Sequence, residues 1–344
     1  MKPLLPLAML LASFAAPAAA QNPTSPPGHC RFIGASHPMV FTPGSPVENF
    51  LVTSADPDIR RFIVYVPSRY QAAGGPYPVV FMLHGTGQNA ADPIQKLTWD
   101  EAAEAWDFIA VFPEALPYLL QDGTTRTKWA TDAVADHAVD PSELPLADDA
   151  IFLREVHNTL GAHLNIDCDR VYASGFSNGG GFVKTNIHVE LSDVFAATTS
   201  AGGIGLRVDS PGEFYPESGY LFRPHFEVVG NEDDNKRSGC IDDGDLDPGQ
   251  NLPMQIAEIM ARPCMWEPLT TMAGELAMDP DDFVAVEEPV FTQFVWDKPV
   301  LAGRFLHEYR FRILRNLTHE YPSGANYPVD YVPIFYTWMS QYTR

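Results

Sequence analysis

An α/β fold with a mostly parallel central sheet flanked by helices is what this chain of 344 residues predicts. Three observations carry the prediction. Strand-like runs alternate with helical patterns along most of the chain, as in a parallel sheet with helical crossovers. The run Tyr77-Pro78-Val79-Val80-Phe81-Met82-Leu83 is continuously apolar, as expected of a strand buried on both faces. Finally, Gly175-Phe176-Ser177-Asn178-Gly179 stands between a β-branched and aromatic run, Arg170 to Ser174, and a candidate helix over Phe182 to His188. Gly-x-Ser-x-Gly at a strand-to-helix turn pushes a strained serine above the sheet, and the small flanking residues let strand and helix approach closely.

Met1 to Ala20 has the makings of an export signal: Lys2, a mostly apolar Leu4 to Ala16, and small residues Ala18-Ala19-Ala20 before Gln21. Its apolar part is short and broken by proline, and no later stretch reaches the roughly 18 apolar residues of a span. The expectation is a secreted protein, extracellular or periplasmic, with no membrane partner. Removal of the signal leaves 21–344, expected to be one domain.

Gln21 to Gly28 carries three prolines and predicts a disordered leader. Strands are expected at Arg60 to Pro67, Tyr77 to Leu83 and Phe108 to Pro113. Between the last two, Thr98 to Asp107 predicts a helix with Trp99, Ala102, Ala103 and Trp106 on one face. The clearest helix is Ala147 to Leu164, with Ile151, Phe152, Val156, Leu160 and Leu164 at helical spacing and Asp148 or Asp149 to cap it. Beyond the serine turn come short strands at Val194 to Ser200 and His225 to Val229, a further strand at Phe305 to Leu314, and a closing helix over Val329 to Tyr342. Asn231 to Gln293, rich in Asp, Pro and Met, breaks the rhythm and predicts a lid-like insertion.

Composition narrows the function. The hydrophobic content of 45% suits a full globular core. A formal charge of −22 argues against nucleic acid and anionic membrane surfaces as partners. Four cysteines in an exported chain predict two disulfides, and nearness favours Cys240 with Cys264, leaving Cys30 with Cys168. No Cys-x-x-Cys spacing supports a metal site. Asp243-Gly244-Asp245-Leu246-Asp247-Pro248 has alternating carboxylates, but Pro248 and Met254 stand where a calcium loop needs glycine and glutamate. Neither metal nor cofactor is expected.

A serine nucleophile needs a base beyond it in this order of chain, and an acid to orient that base. His225, His307 and His319 qualify by order. His225 and His307 fall in strands, whereas His319 lies in a loop between the last strand and the last helix, where a base must reach. Gly230-Asn231-Glu232-Asp233-Asp234 follows a strand and offers the acid; Asp233 is the choice, with Asp234 and Glu232 open. Two backbone N–H groups must face the oxyanion. Asn178 follows the nucleophile, and Leu83-His84-Gly85-Thr86-Gly87-Gln88 follows an early strand. His84 precedes the serine and is expected to shape that loop. Trp129, Trp266, Trp296 and Trp338 are expected in the core, although Trp266, Phe283 and Phe291 could line a cleft.

Leu83-His84-Gly85-x-Gly87-Gln88, Asp148-Asp149-x-x-Phe152, and Asp167-x-Asp169-Arg170-Val171-Tyr172 leading into Gly175 to Gly180 together resemble the extracellular polyhydroxybutyrate depolymerase and feruloyl esterase group of α/β-hydrolases. The similarity covers Arg60 to Ser200 and returns at Gly230 to Asp233 and His319 to Pro322. It departs at Thr86, often cysteine in that group, and at Thr318 and Tyr321, where glycine and tryptophan are usual. The resemblance implies an α/β-hydrolase fold and a serine carboxylic ester hydrolase with Ser177, Asp233 and His319 as triad. It implies the amides of Thr86 and Asn178 as oxyanion donors. The first expectation for substrate is a hydroxyalkanoate oligomer, because no linker or further domain for binding solid polymer follows His319. Feruloyl or acetyl-xylan type esters are the alternative. Against a serine peptidase, the sequence shows neither a propeller-like repeat region nor a fused gate domain, and an inactive hydrolase fold used for binding would lack nucleophile or base. Sequence assigns no oligomeric state.

Overall fold

The structure, a computed structural model, describes residues 35–54, 58–130, 149–187, 190–203, 223–233, 284–298 and 307–344. The expected signal, the leader, Cys30, Cys240, Cys264, Asp148, Asp234, Trp266, Phe283 and the acidic 243–248 stretch lie outside these residues. Cys168 is disulfide-bonded.

Among the described residues ten strands form one sheet: β1 (Pro46–Val52), β2 (Ile59–Tyr65), β3 (Tyr77–Leu83), β4 (Ile109–Pro113), β7 (Ile166–Phe176), β8 (Ala197–Ala201), β9 (His225–Gly230), β10 (Val284–Glu288), β11 (Phe291–Lys298) and β12 (His307–Leu314). Their spatial order is β1-β2-β4-β3-β7-β8-β9-β12-β11-β10. The six strands from β4 to β12 run parallel, and antiparallel pairs close both edges. A separate hairpin pairs β5 (Leu116–Leu119) with β6 (Thr125–Lys128). The helices are α1 (Asp92–Lys96), α2 (Trp99–Trp106), α3 (Asp149–His163), α4 (Asn178–Phe182) and α5 (Tyr331–Met339).

The apolar run of β3 explains how the core divides. Val79, Phe81 and Leu83 join one apolar layer with Phe152, Val156 and Leu160 of α3 and Phe182 of α4. Val80 and Met82 join the opposite layer with Trp99 and Ala103 of α2 and Phe335 and Trp338 of α5. Alternate residues therefore serve opposite faces, and both faces are covered. Chain order reverses at β3, whose neighbours are β4 on one side and β7 on the other. In such sheets the crevice at the carboxyl ends of the strands is where ligands bind.

Several elements differ from the sequence expectation. Asp149 is the first described residue of α3, fully buried and bonded to the Arg60 guanidinium and, at 2.7 Å, to the Ala130 N–H. The helix after the serine begins at Asn178 and passes at Val183–Ile187 into a π-helical turn. The strand expected from Val194 starts only at Ala197. Residues 284–293, placed by sequence within the insertion, form β10, a two-residue turn and the start of β11, which extend the sheet from β12. Phe291 stacks under the Arg312 guanidinium at 4.1 Å, packed on the core rather than standing free. Trp106 is 42% exposed and stacks on Tyr336.

Candidate active site

Strand β7 delivers Ser177 at its carboxyl end in a conformation few residues adopt, φ 52° and ψ −119°. Its N–H donates to Ala201 O at 2.9 Å, which ties the turn to β8. A Cβ on Gly175 would lie 2.4 Å from Gly179 O, and one on Gly179 would lie 2.5 Å from His84 O. Glycine on both sides of the turn is thus a steric requirement of this backbone path.

Two further turns bring their residues to Ser177. After β9, Asp233 is buried, its side chain without exposure. After β12, the chain turns through Asn316 (φ 57°) to His319. His319 Nε2 lies 2.8 Å from Ser177 Oγ, and His319 Nδ1 lies 2.8 Å from Asp233 Oδ2. An ionised carboxylate can only accept, so Nδ1 carries the proton and Nε2 is left to accept from the serine hydroxyl. Gly202 (φ 57°) makes room for the imidazole: a Cβ there would stand 3.2 Å from His319 Cε1.

The other candidates stand elsewhere. His225 is fully buried on β9, where its ring nitrogens meet Thr198 Oγ1 at 2.8 Å and Ser200 Oγ at 3.2 Å, and its ring stacks on Tyr309. His307 opens β12, about 20 Å of strand away from the end that leads to His319. Glu232 donates its N–H to Leu317 O and is half-buried; the carboxylate on Nδ1 is that of Asp233.

Thr86 and Asn178 lie on the two loops expected to supply the oxyanion donors. Among the described residues neither backbone N–H finds an acceptor. The loop from His84 to Gln88 is braced on all sides. Ala115 N–H donates to His84 Nε2 at 3.1 Å, so the proton sits on Nδ1 and is given to Gly85 O at 2.8 Å. Burial pushes the His84 imidazole below its usual range, and it is held neutral. Gly85 N–H donates to Gln88 Oε1 at 2.9 Å, and Gly87 N–H (φ 71°) to Thr127 O of β6 at 2.9 Å.

Trp129 is the residue that sequence reasoning left in the core without a further part. It is fully buried, but its indole N–H donates to His84 O at 2.9 Å. Its backbone N–H donates to Asn178 Oδ1 at 2.7 Å, and its carbonyl accepts from Asn178 Nδ2 at 3.2 Å. One tryptophan thereby ties together the loop holding Thr86 and the turn holding Asn178. The Asp149 carboxylate holds the next residue, Ala130, through its N–H. Only the Asp148-Asp149-x-x-Phe152 motif hinted at this second support; nothing in the sequence marks Trp129.

A family model named Esterase matches residues 56–200. The bifunctional acetylxylan esterase/xylanase XynS20E of Neocallimastix patriciarum is 25% identical over 175 residues, 51% of this chain and 22% of that protein. The chain spans about a fifth of the length of that relative. Among solved structures, an acetyl xylan esterase from Aspergillus awamori superposes with a TM-score of 0.54 at 13% identity, covering 86% of this chain and 99% of that one. A feruloyl esterase module from Clostridium thermocellum reaches 0.47 at 15% identity, with 88% and 94% covered. The sheet order and the Aspergillus superposition show the α/β-hydrolase fold.

Proposed function

We propose that this chain is a serine carboxylic ester hydrolase, with Ser177, His319 and Asp233 as its triad and the amides of Thr86 and Asn178 as its oxyanion hole. The continuous chain of bonds from Asp233 through His319 to Ser177 Oγ is the observation that carries the proposal. His319 Nε2 takes the serine proton as Oγ forms a bond to the ester carbonyl carbon. The carbonyl oxygen becomes an oxyanion that the amides of Thr86 and Asn178 receive. When the bond to the alcohol oxygen breaks, His319 returns the proton to that oxygen. Water then gives a proton to the same imidazole as its oxygen bonds the acyl carbon. His319 returns that proton to Ser177 Oγ as the acyl–Oγ bond breaks and the carboxylic acid leaves. Asp233 keeps Nδ1 protonated and balances the imidazolium.

For the substrate, we infer an ester of a plant cell-wall polysaccharide, of the acetyl-xylan or feruloyl type. The acetylxylan esterase relative supports this branch over the hydroxyalkanoate oligomer first expected, and the Esterase family model supports ester hydrolysis in general. An inactive binding protein is the weaker reading, since serine and imidazole stand at bonding distance. Export, resting on the Met1 to Ala20 pattern, suits such a substrate. A fluorophosphonate probe should label Ser177. Rates on acetylated xylo-oligosaccharides, methyl ferulate and 3-hydroxybutyrate trimer should then rank the branches. Failure of the probe to label, or trimer cleaved tenfold faster than either cell-wall ester, would overturn the corresponding half of the proposal.

A further inference from the structure

A cavity of about 240 Å³ has His319, though not Ser177, among its lining residues. Met82, Leu97 and Phe176 give it an apolar floor, and Gln88, Asp92, Lys96 and Glu320 give it polar walls. We propose that this cavity holds the departing alcohol, that it takes an uncharged, ring-sized polyol, and that it turns away an alcohol bearing a carboxylate. The inference rests on the esterase reading above.

Position gives the first part. The leaving oxygen receives its proton from His319 Nε2, so the alcohol departs along the wall that this ring provides. Size gives the second. The volume falls below the roughly 300–1,000 Å³ of pockets that hold drug-sized ligands, and suits one sugar ring rather than an extended chain.

Charge gives the third. Lys96 Nζ lies 2.5 Å from Asp92 Oδ1, and the two cancel. Glu320 Oε2 accepts from Asn326 Nδ2 at 3.1 Å and, among the described residues, has no cationic partner. The imidazolium that forms on His319 is matched by Asp233, so the wall keeps a net negative charge. Gln88 completes the polyol chemistry. Its Oε1 is held by Gly85 N–H, which fixes the amide and leaves Nε2 as a donor beside the carboxylate acceptors. A sugar hydroxyl meets donors and acceptors there. A hydroxyalkanoate oligomer, by contrast, releases a fragment whose free carboxylate meets Glu320.

The test uses three esters with one acyl group: an acetylated methyl xyloside, methyl 3-acetoxybutyrate, and the anionic 3-acetoxybutyrate. The full chain should favour each neutral ester over the anion by at least tenfold in kcat/KM, with the gap shrinking as salt is added. Glu320→Gln keeps an acceptor for Asn326 and should narrow the gap. Gln88→Glu keeps the bond to Gly85 N–H and should widen it. The rate of fluorophosphonate labelling, read in each variant, separates a disturbed triad from a changed preference. Equal rates on the anion and its methyl ester, or a gap indifferent to Glu320→Gln with labelling intact, would remove this inference alone. No turnover of any of the three with labelling intact would also remove this inference, and no turnover without labelling would remove the esterase reading with it.

Discussion

In the proposed mechanism Ser177 depends on contacts it does not make itself: the bond that fixes the tautomer of His319 and the pair that holds Asn178 against Trp129. Ser177→Ala and His319→Ala should each lower kcat by about 10⁴–10⁶-fold, because such groups act as a unit. Asp233→Asn should cost about 10⁴-fold through loss of the correct tautomer. Circular dichroism and thermal melts of the three variants should match the parent; a His319→Ala enzyme of near-normal turnover would send the search for the base elsewhere. At this scale the sequence was informative about type and order and silent about distance. The Gly-x-Ser-x-Gly turn and the loop position of His319 were readable because each follows a strand. The choice among Glu232, Asp233 and Asp234 was not, since neighbouring carboxylates in one turn differ only in where the backbone aims them. Trp129 was invisible for a related reason: its hydrogen bonds join segments some 45 and 49 residues away in the chain.

Strands buried on both faces announced themselves by composition, and β2, β3, β4 and β9 lie within a residue or two of where apolar runs place them. Strands at the rim did not. β1 alternates exposed and buried positions and contains Pro46 and Asn49, and β10 begins amid acidic residues that obscure any pattern. The π-helical turn after α4 was equally hidden, yet it places Lys184 where Nζ meets Glu227 Oε2 of β9 at 2.7 Å, both side chains almost wholly buried. Tyr309 of β12 donates its hydroxyl to the same carboxylate at 3.3 Å, and burial raises that phenol well above its ordinary pKa, with Glu227 adding to the effect. The pair thus links the element after Ser177 to β9, which leads to Asp233, while Tyr309 adds β12, which leads to His319. Lys184→Met should destabilise by about 3–5 kcal/mol in urea unfolding, because Glu227 would be left buried and uncompensated. Lys184→Met combined with Glu227→Leu should recover most of the loss; if the double variant is no better than the single, the pair is not what the site needs.

Over the whole molecule, the −22 formal charge and a histidine remote from the site set the response to acid. His157, inside α3, has its pKa lowered to about 4, chiefly by burial and then by Arg344. Between pH 6.5 and 4 the unfolded chain binds a proton there that the folded chain refuses, so stability falls as pH falls through that window. The loss amounts to about 3 kcal/mol by pH 4. His157→Gln should flatten this part of the melting-temperature curve, and an unchanged slope would assign the acid sensitivity to other groups. The global topology was readable in outline, because order along the chain and strand alternation constrain a parallel sheet; the edge hairpin at 284–298 was not, since rim strands need only one apolar face. One contact between distant parts has a dynamic consequence. A Cβ on Gly230 would stand 1.9 Å from Leu317 O. Around this contact Asn231 N–H reaches Leu314 O, Glu232 N–H reaches Leu317 O, and Asn316 N–H reaches Asn231 Oδ1. The acid turn and the base turn are therefore a single opening unit. In deuterium exchange the amides of Asn231, Glu232 and Asn316 should be released together, with one opening free energy, so that thermal breathing never parts Asp233 from His319 without unzipping both turns at once.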